Sequence, residues 1–254
     1  MMTGGWLPDP HDQRDFDARS MPGLSGGVLM PADVDLSPHV DMIRDQLSTE
    51  SCVAQAITRC LHIRASVMGQ RVAYPSALAL YYAARLLETG DHLRIANRGS
   101  YPRLALDALS RFGVCAEERW PLMPFAVDSA PPWDCAQHAI DARVDGYYRV
   151  MGDGEFRLDT MRRCLAAGQP LHVGFTVDKQ LFDIGTGILG PLGEPTGGRH
   201  AMAVIGYGPG WFLAVNSWGR SFGFQGFCRI SDERMGAADT GDVWAFRVGP
   251  REIT

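Results

Sequence analysis

Four side chains in this sequence can act together on a carbonyl group. Cys52 offers a thiol, His200 an imidazole, Asn216 a carboxamide, and Gln46 a second carboxamide six residues before the cysteine. A thiol attacks as its thiolate, so it needs a base within reach. An imidazole suits that task near neutral pH, and a third group must hold the ring in orientation. The attacked carbonyl oxygen gains negative charge and needs a fixed N–H donor. Cys52, His200, Asn216 and Gln46 can fill the roles of nucleophile, base, orienting group and oxyanion donor, in that order. The remaining histidines, His11, His39, His62, His92, His138 and His172, have no matching context and read as surface or packing residues.

The spacing of these four is specific. His200 follows Cys52 by 148 residues and Asn216 follows it by 164. Asn216 opens the run Asn216-Ser217-Trp218-Gly219, and a glycine-punctuated stretch, Phe222–Ile230, comes next. This order resembles the papain family of cysteine peptidases, where the histidine and asparagine follow the cysteine by roughly 130–150 residues. The likeness runs from about residue 5 to residue 248. The head of the chain, Gly5-Trp6-Leu7-Pro8-Asp9, then Asp12, Arg14-Asp15 and Pro31–Leu36, is similar to a bacterial branch of the family.

The resemblance implies an α+β fold of two lobes, one helical and one an antiparallel β-rich lobe, with the active cleft between them. It implies hydrolysis of peptide bonds through a thioester acyl-enzyme, with no cofactor and no metal. The partners it implies are a peptide or protein substrate and an unidentified inhibitor or regulator. It also assigns substrate contacts. Gly99 and Ser100, in Arg98-Gly99-Ser100-Tyr101, would pair with the substrate backbone as a strand. Ser51, Arg199 and Ala201 would line the cleft, and Trp218 would shield the His200–Asn216 hydrogen bond. One stretch departs from the family. Cys-Gly-Ser-Cys-Trp is usual at the nucleophile, and here Thr49-Glu50-Ser51-Cys52-Val53 stands in its place. Thr49 removes a cysteine that normally forms a disulfide. Glu50 replaces a glycine beside the substrate, and is expected to favour a basic side chain just before the scissile bond. Two other functions share these residues: acyl transfer to an amine from the same acyl-enzyme, and a catalytically silent binding module. The presence of Cys52, His200 and Gln46 together argues against the silent module.

These residues need elements to hold them. Residues 1–35 are rich in Gly, Pro and Asp and read as an extended arm, with a flexible link at Met21–Gly27. The arm is shorter than the long inhibitory pro-segment of secreted papain relatives. Residues 36–254 then form the peptidase domain, with a helical lobe over about 40–145 and a β-rich lobe over about 146–250. Apolar periodicity predicts a helix from Ser51 to Gly69, capped by Ser48 or Thr49. Further helices are predicted over Ser76–Glu88, Tyr101–Phe112, Pro131–Asp141 and Leu158–Ala167. Strands are predicted over Pro170–Val177, Ala201–Gly206, Trp211–Val215, Gly226–Ile230 and Val243–Val248. Helices first and strands second is an α+β pattern.

Composition narrows the partners. The net charge is −5, which disfavours nucleic acid or an anionic membrane. No window offers the roughly eighteen uninterrupted apolar residues of a membrane span. The first residues show no basic head or apolar stretch of a secretory signal, so a cytoplasmic location is expected. The six cysteines, Cys52, Cys60, Cys115, Cys135, Cys164 and Cys228, show no CxxC or zinc spacing. All six are expected to be reduced, the five besides Cys52 as small core residues.

Overall fold

The helix that begins at the cysteine, α1 (Cys52–Val67), is apolar on nearly every side. Val53, Ala54, Ala56, Ile57, Cys60, Leu61 and Ile63 are all buried in the computed structural model, which describes residues 5–24, 29–139 and 142–248. A helix apolar all round must be enclosed by other elements. Here α1 packs against α2 (Ala77–Thr89) and α3 (Pro102–Arg111) on one side and the sheet on the other. Arg64, the polar exception on its apolar face, reaches across to the carbonyls of Ala167 and Gly168 at 3.0 Å each. The capping expectation is corrected. Ser51 is the N-cap and makes no side-chain capping bond. Thr49 Oγ1 donates instead to the Gln46 carbonyl at 2.7 Å and meets Ser51 Oγ at 2.7 Å.

The other helices lie close to their predicted spans. Gly90, in the left-handed region at φ 64°, ends α2. A short α4 (Trp133–His138) follows α3, and α5 (Gly154–Ala166) starts four residues before its predicted span. Position 141, the predicted end of the fourth helix, lies outside the described residues. Two short helices, α6 (Lys179–Phe182) and α7 (Asp232–Gly236), complete the set among the described residues.

The strands are β1 (Val34–Asp35), β2 (Gly146–Arg149), β3 (Leu171–Asp178), β4 (Ile188–Leu189), β5 (Pro195–Gly208), β6 (Trp211–Val215), β7 (Phe227–Ser231) and β8 (Thr240–Arg247). They form one sheet in the order β2-β8-β3-β5-β6-β7-β4, with β1 added beside β5. All pairings are antiparallel except β4 with β7. Alternation along β5 divides the core in two. Ala201, Ala203 and Ile205 join the cluster around α1, while Met202 and Val204 join a second cluster with Leu158, Met161 and Leu165 of α5. One strand face thus meets the helical lobe and the other closes the β-lobe, in an α+β fold.

Two expectations change. The N-terminal segment is not a free arm: Trp6, Asp9, Ala18, Met21 and Leu24 are buried. Met21 and Leu24 belong to the second core cluster, so the first part of the expected flexible link is packed. Residues 25–28 of that link lie outside the described residues. The cysteines are not all reduced either. Cys115 and Cys135 form a disulfide with a Cα separation of 5.2 Å, inside the range a disulfide needs. The chain leaves α3, turns at Gly113, and brings Cys115 beside α4, which carries Cys135. Sequence spacing carries no trace of that approach. Cys52, Cys60, Cys164 and Cys228 are free and buried.

Candidate active site

His200 lies on β5 and Asn216 directly after β6, so two neighbouring antiparallel strands set them side by side. His200 Nε2 and Asn216 Oδ1 are 2.7 Å apart. The Ser217 backbone N–H also donates to Asn216 Oδ1 at 2.7 Å. An atom that accepts from a backbone amide is the oxygen, which fixes the carboxamide's orientation. His200 Nε2 therefore carries the proton and donates it to Asn216. Nδ1 is left as the acceptor, and it has no hydrogen-bond partner among the described residues. Trp218 lies over this pair, its ring 4.4 Å from the imidazole. Phe182 stacks on the outer face of Trp218 at 5.4 Å.

Cys52 begins α1, which packs on β5. The backbone N–H groups of Ala201 and Val53 lie near enough to its sulfur to pull the thiol's pKa down. Ala201 follows His200, so β5 places the imidazole residue next to the thiol. Gln46 is buried in the loop before α1. Its Nε2 donates to the Thr49 carbonyl at 2.8 Å, and its Oε1 accepts from Ser217 Oγ at 2.7 Å. Because both partners fix the amide's orientation, one N–H of Nε2 remains for another acceptor.

The cleft is filled by the chain's own head. The Gly5 backbone N–H donates to Cys52 Sγ at 3.2 Å. Trp6 pairs with Ser100 as a parallel bridge, with Ser100 N donating to Gly5 O at 2.9 Å and Leu7 N to Ser100 O at 3.1 Å. This close approach requires glycine on both sides. A Cβ on Gly5 would stand 1.7 Å from the Glu50 carbonyl oxygen. One on Gly99, at φ +94°, would stand 2.4 Å from the Gly5 oxygen. Trp6 continues into a pocket floored by Gly174, and its Nε1 donates to Asp242 Oδ2 at 2.8 Å. The Asp9 backbone N–H donates to the same oxygen at 2.7 Å. Asp9 in turn accepts from the Arg103 amide and from Trp244 Nε1. Arg103 and Arg149 both pair with Asp15, at 2.6 and 3.0 Å.

Burial acts on the titration of both residues. Cys52 and His200 are both fully buried, with zero exposure. Burial pushes the Cys52 thiol up to about 12, against the pull of the Gly5, Ala201 and Val53 amides. Burial likewise pushes His200 down to about 4, with the Asn216 bond acting against it. Burial thus disfavours the charged form of both groups. A helix start and a nearby imidazolium both favour a thiolate. Desolvation outweighs both while the arm is in place. Asp9 is pushed up to about 7, first by burial and then by the charge of Asp242.

The remaining expected contacts divide. Ala201 follows His200 on β5, and Ser100 holds an extended chain while Gly99 lets it approach closely. Glu50 is half-buried, its N–H donating to Asn97 Oδ1 at 2.8 Å. Ser51 turns inward to Thr49 and is fully buried, so its side chain does not face the cleft. Arg199 is exposed on β5, not enclosed with the others. Trp6, Asp9, Asn97, Gly174 and Asp242 were absent from the expected site. The head motif around Trp6 was visible, but its position over Cys52 was not. Asp242 sits in β8 at φ 46°, and no local pattern in the sequence marks it.

A buried thiol at the start of a helix that packs against the strand carrying an imidazole–carboxamide pair is the papain-like arrangement. The family model described as papain family cysteine protease matches residues 30–242. The chain belongs to the papain family of cysteine proteases. Papain from Carica papaya is 25% identical over 221 residues, which span 80% of this chain and 57% of papain's full length. A cathepsin L-like proteinase from Fasciola hepatica is 23% identical, over 90% of this chain and 69% of its own. Among solved structures, xylellain, a cysteine protease from Xylella fastidiosa, is similar with a TM-score of 0.84 and 26% identity. That match covers 98% of this chain and 97% of xylellain.

Proposed function

We propose that this protein is a cysteine peptidase in which Cys52 forms a thioester acyl-enzyme and residues 5–9 plug the cleft until displaced. The observation that carries this reading is the fixed His200–Asn216 bond, which leaves Nδ1 unpartnered as an acceptor on the strand that packs against the Cys52 helix. Once the arm leaves, water and substrate polarity relieve the desolvation that keeps Cys52 and His200 neutral. His200 Nδ1 takes the thiol proton, and the sulfur attacks the scissile carbonyl carbon. The oxyanion receives the spare Gln46 N–H and the Cys52 backbone N–H. His200 then gives its proton to the leaving amine, removes one from water, and the hydroxide cleaves the thioester. Asn216 keeps the ring oriented through both steps.

The arm supports the regulatory half of the reading. It presents an amide N–H, not a carbonyl carbon, to the thiol, so it occupies the cleft without offering a bond to cut. Within the N-terminal segment, residues 5–9 are then the plug, ahead of the peptidase domain at 36–254, with Gly99 and Ser100 holding substrate as they hold the arm. Glu50 gives the residue before the scissile bond an acidic neighbour. The test is hydrolysis of a peptide library by the full chain and by Cys52→Ala. Turnover by the wild type, with a thioester-mass adduct trapped at Cys52 on acid quench, supports the reading. Equal turnover by Cys52→Ala would refute it.

A further inference from the structure

The pocket holding Trp6 is built for an indole. Gly174 and Gly241 line it where other residues would carry a side chain. A Cβ on Gly174 would lie 2.3 Å from the Trp6 ring, and one on Gly241 would lie 3.7 Å away. At its end Asp242 Oδ2 accepts from Trp6 Nε1 at 2.8 Å and from the Asp9 amide at 2.7 Å. Both donors belong to the arm. We propose that, in the peptidase read above, this pocket selects substrates with tryptophan one residue before the residue whose carbonyl is attacked, and that Asp242 reads the indole N–H.

Position follows from pairing. Ser100 brackets Trp6 with its N–H and C=O, while the neighbouring Gly5 sits at the thiol. A substrate strand running the other way can use the same two Ser100 groups, and the residue it pairs there faces the same pocket. Charge decides the kind of side chain. Arg149 holds Asp242 Oδ1 at 2.5 Å and stays when the arm leaves. Departure of the arm removes Asp9 and Asp15, which face Arg103 and Arg149. The open pocket then has two guanidinium groups against one carboxylate. That balance disfavours Lys or Arg and favours a neutral donor. Phenylalanine would fill the ring space but leave Oδ2 without a donor, and a site built to hydrogen-bond rejects the analogue that lacks the bond.

The experiment uses the full chain carrying Trp6→Ala, which vacates the pocket. Its substrates are acetyl-Ala-X-Arg aminocoumarin amides with X as Trp, Phe, Leu or Arg. The expected kcat/KM for Trp exceeds that for Phe by about tenfold and that for Arg by more. Adding Asp242→Gly, which suits the positive φ, should bring the Trp-to-Phe ratio to about one. Adding Gly174→Ala should instead place Leu above Trp. Stoichiometric alkylation of Cys52, read by intact mass, confirms that each variant has a formed site. Equal rates for Trp and Phe, a ratio surviving Asp242→Gly, or a preference for Arg would overturn the inference and leave the peptidase reading standing. Cleavage of none of the four peptides by an alkylatable protein would overturn both.

Discussion

At the residue scale, the four candidates carry unequal shares of the proposed chemistry. Cys52→Ala and His200→Ala should each reduce peptide turnover to background, because nucleophile and base act as a unit. Gln46→Ala removes one oxyanion donor and should lower kcat by about 10²–10³. Asn216→Ala should be milder than His200→Ala, since Asn216 orients the ring without reacting. Progress curves for the four variants on one fluorogenic peptide check the order. Asn216→Ala falling to the Cys52→Ala level would contradict it. The types and order of the four candidates were legible in the sequence, and the structure sets His200 and Asn216 2.7 Å apart. Their protonation was not legible. The helix start at Cys52 points toward a thiolate, but the complete burial of the thiol acts in the opposite direction.

At the element scale, periodicity located α1, α2, α3 and β6 within two residues, because each buries one continuous apolar pattern. It missed β1, β2 and β4, whose two, four and two residues are too short to alternate detectably. It cut β5 short, because the Pro195–Arg199 end is polar and glycine-rich and is held by its pairing to β3. The disulfide was missed for a related reason: it joins a turn to a six-residue helix, and only tertiary packing brings them together. Thiol titration of the denatured, unreduced protein should therefore find four free cysteines, not six. The 20-residue separation corresponds to about 3 kcal/mol of loop-closure stabilisation. Cys115→Ala with Cys135→Ala should lower Tm by roughly 5–10 °C. Six titrated thiols, or an unchanged Tm, would contradict the assignment.

At the scale of the whole molecule, the arm, cleft and sheet form one titrating unit. His172 is buried against the Asp242 carbonyl, and burial pushes it down to about 4. Its folded value lies below its ordinary value of 6.5, so its contribution is complete above that pH. The contribution is lost as the pH falls toward 4, when the unfolded chain takes up a proton that the fold refuses. His200 acts in the same direction. Asp9, raised from 3.8 to about 7, acts in the opposite one: its contribution is present below 3.8 and is lost as the pH rises through 7. Single variants separate these opposing groups. Between pH 7 and 4.5, His172→Gln should lose about 2 kcal/mol less stability than the wild type. Asp9→Asn should be relatively more stable above pH 7. Urea midpoints across that range check both, and curves parallel to the wild type would contradict them.

The measurement that tests the central claim most directly is intact-mass labelling by an epoxysuccinyl peptide, which alkylates an activated thiolate. It is run on the full chain, on Trp6→Ala and on Cys52→Ala. The wild type should gain one adduct at Cys52 slowly, because Gly5 covers the sulfur at 3.2 Å. Trp6→Ala should gain the same single adduct at least tenfold faster, because the arm has lost its anchor on Asp242. Cys52→Ala should gain none. Labelling that persists in Cys52→Ala, or a Trp6→Ala rate equal to the wild type, would contradict a Cys52 nucleophile held under its own N-terminal arm.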